Sequence, residues 1–310
     1  MKTLIKGMVF HALLVVVAPC LAQDDDDEKF YKTKLLVQAV PWFGEQSPNN
    51  GPMGYGLEVH GFVQKRFSYS ARYLKGKWFD DAEDGGDPLA SDSYQGFSPY
   101  QNLQFNVNFH LFDRIRTGRL QWEKVGFLTN ATGRYMTSEV HSNRGPVRKI
   151  FALRGGVYNW RTTTKPASDD QWFLKTAGAT TDVQATEKNF TTIHSSNLTA
   201  GIAIGKLVDG TVGSRHVGYF RNIFLDAMMN TSVSLDDVKS KTGTMSSFAV
   251  GKGSLEKKPI GWRMGWEYYA LGRKFITGGF RIEFGSRPGI TNKSAYYQLT
   301  FSLGFKYVKK

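Results

Sequence analysis

The stretch Tyr296-Tyr297-Gln298-Leu299-Thr300-Phe301-Ser302-Leu303-Gly304-Phe305-Lys306-Tyr307 has a hydrophobic period of two residues. Tyr297, Leu299, Phe301, Leu303, Phe305 and Tyr307 fall on one face of an extended chain, and Tyr296, Gln298, Thr300, Ser302, Gly304 and Lys306 on the other. Side chains alternate across a strand, so this is a two-faced β-strand. The pattern recurs upstream. Ile260, Trp262, Met264, Trp266 and Tyr268 oppose Gly261, Arg263, Gly265 and Glu267. Ile276, Gly278, Phe280, Ile282 and Phe284 oppose Thr277, Gly279, Arg281 and Glu283, and Leu103, Phe105, Val107, Phe109 and Leu111 oppose Gln104, Asn106, Asn108 and His110.

Such alternation fits a soluble sandwich or a membrane barrel. Segment length favours the barrel. These runs reach about ten residues, the span of a tilted membrane strand, whereas strands of soluble sheets average about six. Trp and Tyr near the ends of the apolar faces suit the headgroup level. The sequence reading is therefore all-β: an antiparallel transmembrane β-barrel with short periplasmic turns and long external loops. Its predicted strands are 33–42, 54–63, 67–77, 102–112, 119–129, 134–142, 147–160, 191–206, 216–229, 259–270, 274–286 and 294–308. That is twelve. The pair 119–129 and 134–142 is weakly patterned, so ten strands is the alternative. Long polar connections at 77–99, 163–189 and 231–258 read as external loops, and Gln64-Lys65-Arg66 and Leu271-Gly272-Arg273 as periplasmic turns. An even count places both ends of the barrel on the periplasmic side.

Residues 1–22 read as a signal peptide: Lys2 and Lys6 form a basic start, Val9 to Ala18 an apolar core, and Ala22 the cleavage position. Lipidation at Cys20 is the alternative processing. The acidic run Asp24 to Glu28 lies in a linker at 23–32, and the barrel occupies 33–310. The whole chain of 310 residues has a formal net charge of +13 and one Cys, and a single Cys excludes an intrachain disulfide and a Cys-based zinc cluster.

The leader ending Leu21-Ala22-Gln23, the segment 147–157 (VRKIFALRGGV) and the hairpin 279–289 (GFRIEFGSRPG) with the aromatic strand after it resemble outer-membrane β-barrel proteins of Bacteroidota. The resemblance implies a cell outer-membrane location and an architecture, not an activity. Barrels of that group include porins and accessory subunits of secretion machinery. The chain departs from many of them in ending Val308-Lys309-Lys310 rather than on an aromatic residue.

Candidate chemistry is sparse. His194-Ser195-Ser196-Asn197 has the His-x-Ser-Asn order of outer-membrane phospholipase A, in which His is the base, Ser the nucleophile and a strand Asn orients the His. The match ends there: Leu198 stands where that family has Gly, and Val208 where it has the orienting Asn. His141-Ser142-Asn143 reads as the approach to a turn at Gly145-Pro146. Asp80, Asp81, Glu83, Asp84 and Asp87 lack the spacing of a calcium loop and read as solvated charge. No cofactor or metal is called for, and a non-enzymatic role is expected. The basic charge points to outer-membrane lipid and lipopolysaccharide, or to outer-membrane and periplasmic proteins, rather than to nucleic acid. The functional lead is a set of charges on predicted inner faces: Glu58, Arg72, Arg154, Arg263, Glu267, Arg281 and Glu283. Opposed charges in a barrel either set the field across an aqueous pore or pair and fill it. The bulky inward Tyr269 and Tyr296 favour a filled lumen, and with it a scaffold or accessory subunit. The other readings are a small-solute porin, a phospholipase-like enzyme and a soluble secreted β-sandwich.

Overall fold

The computed structural model describes residues 33–46, 52–63, 66–77, 100–130, 133–164, 173–175, 183–184, 189–212, 214–236, 238–240, 247–250, 257–272, 276–290 and 295–308. Ten strands form its body: β1 (Thr33–Gln46), β2 (Met53–Val63), β3 (Phe67–Lys77), β4 (Tyr100–Asn130), β5 (Gly133–Thr164), β6 (Asn189–Val212), β7 (Arg215–Leu235), β8 (Ile260–Leu271), β9 (Ile276–Ser286) and β10 (Ala295–Val308). Each is antiparallel to its neighbours in chain order, and β1 pairs with β10, from Thr33 opposite Val308 to Gln46 opposite Tyr297. The sheet thus closes into a barrel and has no free edge around its wall. The short links lie at one rim, here the turn end, with Thr33 of β1 and Val308 of β10. The long connections lie at the other, the loop end.

The alternation read from the sequence becomes an inside-out burial pattern. Along β8, Ile260, Trp262, Met264 and Trp266 point outward and are exposed, while Gly261, Arg263, Gly265 and Glu267 point inward and are buried. Ile260 and Phe305 are each 65% exposed, whereas Arg263 and Glu283 are 0% exposed. A soluble protein buries such aliphatic and aromatic groups and exposes such charges. A continuous apolar exterior of this extent marks a surface built for an apolar surrounding.

The strand count corrects the sequence reading to its alternative of ten. Predicted strands 102–112 and 119–129 are one strand of 31 residues, and 134–142 and 147–160 are one of 32. The expected breaks near 113–118 and at Gly145-Pro146 are not chain reversals. They lie opposite each other in register, Thr117 against Pro146 and Gly118 against Gly145, so the two strands pass the irregularity together. His141-Ser142-Asn143 accordingly sits in mid-strand, opposite Trp122, Gln121 and Leu120. Pairing of β5 with β6 ends at Val147 opposite Val208. From there Thr117–Asn130 and Gly133–Pro146 continue as a two-stranded ribbon at the turn end, about 45 Å long if extended at roughly 3.3 Å per residue. At its base Leu120 is buried against Val147, Val208 and Val212.

Short strands accompany the loops. Val238–Ser240 extends the sheet from β6, and Lys257–Lys258 pairs with Gly289–Ile290. The predicted signal peptide with Cys20, the linker and the acidic cluster at 80–87 lie outside the described residues. Among the described residues no helix is long and apolar enough to cross a membrane, which bears only on helices.

Candidate functional site in the barrel lumen

The sequence pattern carries all seven predicted lumen charges inward. They line a buried ion-pair network, because every second residue of a strand faces the same side. At its centre Arg281 from β9 reaches Glu267 at 2.5 Å, Glu58 at 3.4 Å and Glu283, two residues along its own strand. Arg72 on the far wall meets Glu283 at 3.4 Å and also donates to Gln298. Arg263 donates to Asp226 at 2.8 Å, to Gln104 Oε1 at 2.7 Å and to Asn106 Oδ1 at 2.9 Å. Arg154 donates to the same Asp226 oxygen at 3.0 Å. Its guanidinium lies 4.2 Å from the centre of the Phe224 ring, with those of Arg281 and Arg263 at 4.9 and 5.5 Å, so one ring serves three cations.

Three members of the network were not singled out from sequence. Asp226 is fully buried on β7, on the inward face with Asn222 and Phe224. Glu45 and Arg287 form a second pair nearer the loop end, with both guanidinium nitrogens at 2.5 Å from the carboxylate oxygens. Such a fork-to-fork pair is both strong and directional. Around it Tyr296 packs 3.9 Å from the Arg287 guanidinium, Trp160 lies at 5.2 Å, and the Tyr158 hydroxyl accepts from Nε at 2.7 Å. Arg287 is followed by Pro288 and by Gly289, whose φ of 132° suits glycine. Here the chain turns in over the mouth, and the Ser195 hydroxyl donates to the Pro288 carbonyl at 3.5 Å.

The charges of the central network balance. Arg72, Arg154, Arg263, Arg281 and Arg287 face Glu45, Glu58, Asp226, Glu267 and Glu283, five of each sign, and all are buried. Below them an apolar cluster shares the lumen with further ion pairs: Arg148 and Lys306, buried and opposite Leu207 and Leu36 in register, pair with Asp113 at 2.8 Å and with Asp209 at 3.5 Å. Leu36, Phe62, Leu207, Phe220, Tyr269 and Leu271 meet from opposite walls. The Phe62 and Phe220 rings touch edge to face at 5.1 Å, and the Tyr269 hydroxyl bonds His60 at 3.0 Å. A cavity of about 20 Å³ lies beside His60, Ser68, Asn108 and Glu267, room for little more than a water molecule. Side chains from opposing walls thus meet across the lumen at successive levels.

The hydrolase-like motif is arranged differently. His194 and Ser196 face outward on β6, whereas Ser195 is buried and bonds Asn197 at 3.1 Å. The His194 ring meets Asp236 at 3.1 Å, and no hydrogen bond joins it to Ser196. Val208 lies near the opposite end of the same strand, buried under Leu120. Among the described residues no cluster of His, Cys, Asp and Glu has the makings of a metal site.

No protein-family model matches the chain, and no curated protein matches it. Similar solved structures include the beta domain of the Bordetella autotransporter BrkA, at 11% identity, a TM-score of 0.30 and coverage of 90% of this chain and 100% of that one. The transport unit of the autotransporter AIDA-I from Escherichia coli is similar at 10% identity and a TM-score of 0.26, covering 95% of this chain and 97% of that one. The CymD monoaromatic hydrocarbon channel is similar at 6% identity and a TM-score of 0.22, covering 91% and 90%. Likenesses this distant carry no information on activity.

Proposed function

We propose that this chain is an integral outer-membrane β-barrel of the kind its leader and last hairpin resemble in Bacteroidota. Its closed lumen makes it a non-enzymatic scaffold or accessory subunit of an outer-membrane complex rather than a conduit. The observation that carries the reading is the filled lumen. In the central network five buried arginines answer five buried carboxylates, and beneath them an apolar cluster lies beside the Arg148–Asp113 and Lys306–Asp209 pairs. A pore needs a hydrated path for ions, and arginines paired with carboxylates across the lumen narrow that path. The apolar exterior supports the membrane setting. The mature protein is expected to stay folded and monodisperse only in detergent or lipid. Recovery of the same folded species from a detergent-free soluble fraction would refute that part.

The decisive measurement is electrical. Purified protein inserted in a planar bilayer is expected to give no steady unit conductance at moderate voltage. Stable, ion-selective steps, with a selectivity that shifts in Arg263→Ala, would replace the scaffold reading with the porin reading. Co-purification from native membranes then identifies the complex.

A further inference from the structure

The outer wall carries a row of cations. Arg114 on β4 lies directly opposite Lys149 on β5, Lys149 opposite Lys206 on β6, and Lys206 opposite Arg221 on β7. All four point outward; Arg114, Lys149 and Arg221 are exposed, and Lys206 is half-buried with its ammonium 5.3 Å from the centre of the Tyr219 ring. Among the described residues none of the four has a carboxylate within ion-pair distance. Like charges directly opposite on paired strands repel, so three successive like pairs in one row call for a counter-charge from outside the chain.

The row's setting tells what that counter-charge is. One step towards the loop end is an unbroken apolar row: Phe112, Phe151, Ile204, Ile223 and Trp266, each opposite the next. It belongs to the apolar belt. One step towards the turn end, Val147 and Val208 are covered by Leu120 from the ribbon base. Leu120 seats there because Gly210 leaves space: a Cβ at that position would come within 2.7 Å of it. The cations therefore occupy a step between the belt that faces acyl chains and a protein shelf. That is headgroup depth, where basic side chains meet lipid phosphates.

We infer that Arg114, Lys149, Lys206 and Arg221 form a binding site for the phosphate headgroups of anionic phospholipid at the turn-end leaflet. This rests on the membrane reading above, and the test separates the two. The full chain is reconstituted into vesicles of phosphatidylcholine with a minor share of phosphatidylglycerol, floated on a density gradient, re-extracted, and its retained lipid measured. The wild type is expected to float and to retain phosphatidylglycerol about tenfold above its share of the vesicle, as several cations acting together imply. The quadruple variant Arg114→Gln/Lys149→Gln/Lys206→Gln/Arg221→Gln is expected to float equally and to retain lipid in the vesicle's own ratio. Arg66→Gln/Arg144→Gln, exposed cations outside the row, is expected to behave as wild type. A second readout covers a variant that folds poorly. In neutral detergent, phosphatidylglycerol is expected to raise the wild-type unfolding temperature by several degrees, and millimolar inorganic phosphate is not. Failure of the wild type to float defeats the membrane reading. Floating without lipid preference, or with a preference that survives the quadruple change, defeats this inference alone. Equal stabilisation by inorganic phosphate would assign the row to a free anion instead of a lipid.

Discussion

Arg281→Met unfolds in detergent at a much lower urea concentration than the wild type, with an expected loss of about 3–5 kcal/mol. Methionine keeps much of the side-chain volume, so the loss isolates the charge from the cavity. Three carboxylates share this one guanidinium: Glu267 at 2.5 Å, Glu58 at 3.4 Å, and Glu283. All are 1% exposed or less, so water does not take over when the cation goes. Glu283 keeps Arg72 at 3.4 Å and Arg263 at 3.9 Å, and Glu58 keeps His60 at 3.5 Å. Among the described residues Glu267 keeps the Asn222 amide at 3.0 Å and no cation within ion-pair distance. Arg281→Lys recovers part of the loss, because an ammonium restores the charge but not the planar fork that reaches several acceptors. Tryptophan emission across a urea titration reads the midpoint. A midpoint within error of the wild type would mean that water already screens these charges, and the filled lumen would fall.

Much of the barrel was legible because an apolar outer wall around a polar interior forces a strict two-residue rhythm. In β8 and β10 no residue breaks it, and the inward positions could be read directly, Arg263 and Glu267 among them. What was not legible has local physical causes. In β1 the register shifts between Ala39 and Trp42, beside Pro41. The inward set therefore runs Leu36, Gln38, Val40 and then Phe43, Glu45. One extra residue moves every later side chain to the other face, so a count from Leu36 turns Glu45 outward. Arg287 lies one residue past β9, held by its contacts and not by the pleat. The merging of four predicted strands into β4 and β5 has a similar origin. Gly118, Gly145 and Pro146 each read as a break in one dimension, and only the pairing reveals that the two irregular sites face each other. Asp226 is another matter: it was within reach, since Asn222 and Asp226 occupy alternate inward positions of β7 between exposed Ile223, Leu225 and Met229.

The apolar layer at the turn end was likewise absent from the sequence expectation of a polar lumen. Leu36, Phe62 and Phe220 each occupy the inward phase, but a single inward apolar residue says nothing about what it meets. Their significance comes from closure, which brings β1 and β2 across from β6 and β7. Its consequence is functional. The rings of Phe62, Phe220 and Tyr269 lie beside the central ion pairs and lower the local dielectric in which those pairs act.

Asp226→Asn is expected to cost about as much as the Arg281 change, about 3–5 kcal/mol, although it leaves the number of heavy atoms unchanged. Arg154 and Arg263 both bond the same Asp226 oxygen, and both guanidinia lie against Phe224. With an amide there, two cations face one neutral group in a site that is 0% exposed. Arg263 retains Gln104, Asn106 and a distant Glu283, but Asp226 is the one carboxylate within ion-pair range of Arg154 among the described residues. The stranded charge is therefore that of Arg154, and removing it should help. Asp226→Asn/Arg154→Met is expected to be more stable than Asp226→Asn alone, with a coupling of about 1–3 kcal/mol between the two sites. The four proteins of this cycle, unfolded in urea under identical detergent conditions, give that coupling directly. Strict additivity would mean that each charge is solvated on its own, as in a water-filled channel. A large favourable coupling means that the two charges are held by one another in a dry lumen, which is the condition a non-conducting scaffold requires.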